Sequence, residues 1–137
     1  METIVALGLG LLATTMILYI VTTGFGYIRA IKNAENLHSN ANFLLNTLTY
    51  WVKQGKNLTA SNSTLEIELP NSSVKTITKT GDRIMLDGVP FTSDNIQVTE
   101  LNFTKMSRSV QIRFTIKAKS GNETFSATTT IAQRFIQ

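Results

Sequence analysis

At 137 residues, 42% of them apolar and 16% charged, the chain has room for one small folded head beside any membrane segment. Its net charge of +4 comes from lysines and arginines scattered between polar residues, too thin a cationic density for a nucleic-acid-binding surface. The absence of cysteine excludes disulfides, thiol catalysis and Cys-based metal sites, and leaves the compartment open.

From Thr3 to Ile28 no residue is charged. A run of that length exceeds the roughly 20 residues that cross a bilayer core, so residues 1–28 are predicted to form a transmembrane helix. Its apolar contacts are expected from Ile4, Val5, Leu7, Leu11, Leu12, Ile17, Leu18, Ile20 and Val21. A cleaved secretory signal would need a basic start and a shorter apolar core, whereas only Glu2 precedes this one. Gly24 and Gly26 flank Phe25 near the membrane exit. They mark either a soft point in the helix or a site of close helix packing.

Beyond Arg29 the period persists: Ile28, Ile31, Leu37, Ala41, Leu44, Leu45, Leu48, Trp51 and Val52 recur at three- and four-residue spacings among polar residues. No proline or turn cluster intervenes before Gly55, so one helix of about 50 residues and about 75 Å is expected, with residues 29–54 as its amphipathic half. Gly55 to Ser63 is polar and reads as a turn leading into a head over 55–137.

The period then falls to two. Leu65, Ile67 and Leu69 alternate with Glu66 and Glu68, and Ile96 and Val98 precede Leu101 and Phe103. Val110, Ile112, Phe114 and Ile116 form a third series, and Phe125, Ala127, Thr129 and Ile131 close the set. Asp87-Gly88 and Ser120-Gly121-Asn122 are hairpin signals, and the last three strands should form a meander. The fold class expected is α+β, a long N-terminal helix whose stripe from Ile31 to Val52 covers one face of a small antiparallel sheet.

No chemistry is legible in the polar residues. His38 is the only histidine and reads as a surface residue, and no phosphate loop, nucleophile elbow or zinc-helix motif occurs. Glu66 and Glu68 alternate on one solvated strand face. Catalytic, metal and cofactor sites are therefore not expected. Asn57, Asn62, Asn71, Asn102 and Asn122 each open an Asn-x-Ser/Thr acceptor, which permits glycosylation without requiring it.

Glu2 stands alone before the apolar run, where a helix cap favoured by the macrodipole would account for it. The opening from Met1 to Thr14 also resembles the start of a mature type IV pilin or type II secretion pseudopilin, minor subunits above all. The stretch from Thr128 to Arg134 looks similar to the end of minor pseudopilins. By that register Glu2 is the family's acidic residue, and a basic leader, its cleavage glycine and the first mature residues would lie before Met1. The resemblance implies a filament subunit with a pilin-like fold, processed by a prepilin peptidase and methylated at its new N-terminus. It also implies a single-pass inner-membrane helix, a head outside the cytoplasm, and an assembly platform and other subunits as partners. Glu2 would pair with a neighbouring subunit's N-terminal amine. Arg29 and Lys32 after the span would by themselves place the head inside, and a basic leader would reverse that count. The alternative is a bitopic anchor presenting an extracytoplasmic binding domain. No nucleic-acid partner is expected, although DNA uptake is among the roles the family implies.

Overall fold

The structure, a computed structural model, describes residues 2–134, with Glu2 described by its backbone alone. The chain divides into two units, Met1–Lys32 and Asn33–Gln137. Helix α1 (Glu2–Gln54) contributes to both, and its 53 residues match the predicted length. It is helical through Gly24 and Gly26. The helix stops where Gly55 donates its N–H to the carbonyls of Trp51 and Val52.

In the second unit α1 buries Leu37, Ala41, Leu44, Leu48 and Val52, spaced four, three, four and four residues apart. That spacing is the stripe a 3.6-residue period lays along one helix face. The stripe is shorter than expected: Ile28 and Ile31 are exposed, the latter at 66%, and burial begins only at Leu37.

Among the described residues eight strands follow: β1 (Asn57–Ser61), β2 (Thr64–Glu68), β3 (Val74–Thr80), β4 (Arg83–Leu86), β5 (Val89–Pro90), β6 (Ile96–Met106), β7 (Ser109–Ala118) and β8 (Thr124–Ala132). They form two antiparallel sheets, β1-β2-β3-β4-β5 and the predicted meander β6-β7-β8, where a single sheet was expected. The α+β class holds. The stretch expected as a turn after Gly55 instead contains β1, whose Leu58 enters the core while Asn57 and Thr59 face outward.

Backbone chemistry explains the joints. Asp87 and Gly88 have φ of 51° and 81°, the left-handed pair that lets a two-residue loop follow strand twist, and they close the β4–β5 hairpin as predicted. In β6 a bulge between Val98 and Glu100 shifts the phase by one residue, so Ile96 and Val98 before it and Leu101 and Phe103 after it all reach the core. The two sheets are tied where Phe103 N–H donates to Asn62 O at 2.6 Å and Val98 N–H to Asp82 O at 2.8 Å.

One core serves both sheets and the helix stripe, with Leu44, Leu65, Ile67, Ile84, Ile112, Phe114 and Ile116 among its members. Gly55 lies against it. A methyl on its Cα would sit 2.6 Å from Ile67 Cγ2 and 3.3 Å from Leu58 Cδ2, both on buried side chains. Gly55→Ala is therefore expected to destabilise the second unit by about 1–3 kcal/mol through overpacking, read as a lowered urea midpoint of the full chain in detergent. An unchanged midpoint would show that Ile67 moves aside freely.

Candidate functional site

The first unit is the functional feature that sequence reasoning singled out, and its chemistry is simple. Ile4, Val5, Leu7, Leu11, Leu12, Ile17, Leu18, Ile20 and Val21 are all exposed, from 77% at Ile4 to 46% at Val21. α1 is long and apolar enough to cross a membrane, and none of its most apolar stretch is buried. At 1.5 Å per residue, Thr3 to Ile28 spans about 39 Å against about 30 Å of hydrocarbon.

Three threonine hydroxyls inside this stretch are satisfied locally. The Thr14 hydroxyl donates to Gly10 O at 2.8 Å, Thr15 to Leu12 O at 2.9 Å, and Thr22 to Leu18 O at 2.8 Å. Such back-bonding to the preceding turn hides a hydroxyl from an apolar surrounding that offers it no partner. Exposed Tyr27 and the charged Arg29 and Lys32 follow, the residue types that sit at a membrane interface. A Cβ added at Gly8, Gly10, Gly24 or Gly26 would meet nothing within 4 Å. Glu2 begins α1, and its side chain lies outside the described residues.

Among its described residues the second unit offers surfaces but no reactive constellation. A polar cleft of about 320 Å³ is lined by Asn62, Asn102, Phe103, Thr104, Gln111 and Arg113. Its one charged group is Arg113, across the β6–β7 ladder from Asn102, and it holds no acid beside a base. Sequence reasoning had marked Asn62 and Asn102 only as acceptor motifs, because the pairing that joins their neighbourhoods is long-range. His38 is exposed, with its ring edge-on to Phe125 at 5.1 Å, as a surface histidine should be. Glu66 faces solvent, whereas Glu68 accepts a 2.7 Å hydrogen bond from Asn57 Nδ2. No group of three metal-ligating side chains converges among the described residues.

The head's ion pairs do structural duty. Lys75 hydrogen-bonds the Asp87 carboxylate and, despite the partial burial that opposes it, holds that acid below its usual range; the Thr76 N–H adds to the effect. The same ammonium lies 5.5 Å from the Trp51 ring centroid. A depressed carboxyl pKa stabilises the fold above the unfolded value, near 3.9, and that stability is lost as pH falls through the folded value. Asp87→Asn keeps a residue suited to the turn and should cost about 0.5–1 kcal/mol at pH 7. Thermal unfolding followed from pH 7 to pH 3 should give parent and variant curves that converge below about pH 4. A constant gap would assign the cost to the turn instead.

No family model, curated protein or solved structure matches this chain.

Proposed function

We propose that this protein is a structural subunit, a minor pilin or pseudopilin, that enters a filament through its apolar N-terminal helix. The observation that carries the reading is the exposure of the apolar residues from Ile4 to Val21, which calls for an apolar partner. Lipid supplies it before assembly, and the equivalent helices of neighbouring copies supply it afterwards, so leaving the bilayer is offset by burial in the bundle. The second unit keeps its own core throughout and presents its surface at the filament's exterior.

In this reading the helix stands in the inner membrane with the head extracytoplasmic, and Glu2 pairs with a neighbour's terminal amine. A carboxylate in an apolar bundle is costly unless paired, so its charge acts on assembly and hardly at all on the fold. Glu2→Ala is expected to leave membrane insertion and the head's urea midpoint unchanged while reducing recovery in sheared surface filaments at least about tenfold, since the loss of a buried ion pair's partner costs roughly 3–5 kcal/mol. Equal recovery of parent and variant would instead leave a bitopic anchor whose Glu2 is only a helix cap.

A further inference from the structure

Beyond Gln54 the chain has asparagine at 57, 62, 71, 95, 102 and 122, and all but Asn95 are followed two residues later by Ser or Thr. Ser and Thr make up about a quarter of that segment, so one or two such motifs among six asparagines would be the chance expectation. In α1, Asn33, Asn36, Asn40, Asn42 and Asn46 open none. All five acceptor asparagines are exposed.

Strand geometry accounts for part of this. In β1 and β6 the residue between acceptor and hydroxyl, Leu58 or Phe103, is buried, so an outward Asn and an outward Thr are what a half-buried strand places at i and i+2. Asn62, Asn71 and Asn122 lie in turns, where no such alternation applies. Asn71 is the most prepared of the three. Its Oδ1 accepts from Ser73 N at 3.1 Å and from Ser73 Oγ at 2.7 Å, so the hydroxyl of the motif polarises the amide of this exposed residue and Nδ2 is the group left to react. By contrast Asn57 Nδ2 donates to Glu68 at 2.7 Å and Asn102 Nδ2 to Glu100 at 2.9 Å, bonds that must break before either nitrogen is available.

We propose that the head is an N-glycoprotein surface, with Asn71 its principal site and an oligosaccharide carried on a polyprenyl phosphate or diphosphate as donor. The inference rests on the reading that the head is extracytoplasmic. In the transfer the Nδ2–C1 bond forms as the C1–O bond to the lipid phosphate breaks. The lipid (di)phosphate leaves with the bonding electrons, and one Nδ2 proton passes to a base of the membrane transferase. No oxidation or reduction is involved.

The test is glycopeptide mass mapping of the full chain from its native membrane, paired with proteolysis of intact cells to place the head. The expected result is a saccharide mass on the Asn71 peptide, with occupancy lost in Asn71→Gln and Ser73→Ala, retained in Ser73→Thr, and the whole mass excess gone when all five asparagines are Gln. Bare asparagines on a protease-accessible head would overturn the glycosylation and leave the filament reading standing. Bare asparagines on a protected head would overturn both.

Discussion

Phe114→Ala should lower the urea midpoint of the second unit by about 1.5–3 M. Phe114 is fully buried in the central strand β7, where its backbone pairs with Leu101 on one side and Ala127 on the other. Its ring centroid lies 6.2 Å from that of Phe125, which meets His38 in turn. Truncation removes the ring from the core that both sheets and the helix stripe share, and Phe→Ala changes in such positions cost about 3–5 kcal/mol. A domain of this size has about 5–15 kcal/mol in total, so the variant should be folded at low temperature and unfold early. Trp51, the only tryptophan, is packed half-buried against the core and reports the transition by fluorescence. Arg113→Ala, one residue away and facing solvent, should shift the midpoint by no more than about 0.5 M. Equal shifts from the two variants would mean that β7 does not alternate as described.

How much of this was legible in the sequence depended on how local the signal was. The helix was readable because an uncharged run and a 3.6-residue stripe each repeat many times within it. Strands β2, β6, β7 and β8 were readable because their apolar residues alternate, and Asp87-Gly88 announced its hairpin because only certain residues accept two successive left-handed conformations. β1 was missed because only Leu58 in Asn57–Ser61 is buried, which leaves a strand looking like a polar turn. β3 went unrecognised for the same reason, with Ile77 alone buried among Lys and Thr. The division into two sheets is a matter of which strand edges meet across long separations, and periodicity carries no such information. Ile28 and Ile31 continue the spacing of the buried stripe yet stay exposed, because period sets which way a side chain points and says nothing about whether a partner is there. The functional reading has the same limit: the exposed helix demands an apolar partner, and Glu2 names it only through resemblance.

That demand can be measured directly. On insertion scales the nine residues Ile4, Val5, Leu7, Leu11, Leu12, Ile17, Leu18, Ile20 and Val21 each favour the membrane by about 0.3–0.6 kcal/mol, roughly 3–5 kcal/mol together, while one arginine near mid-span costs about 2.5–3.5 kcal/mol. A single Leu12→Arg should therefore leave a mixed population, the more so because a long side chain can snorkel. Leu12→Arg with Ile17→Arg adds about 5–7 kcal/mol of cost and removes two favourable residues, which exceeds the gain from the seven of these nine that remain. The double variant should pass from the carbonate-resistant membrane pellet to the soluble fraction, with the second unit still folded around its own core by the same Trp51 fluorescence. Retention of the double variant in the pellet would show that something other than the apolar face of α1 holds the protein there, and would remove the premise on which both the anchor and the filament readings stand.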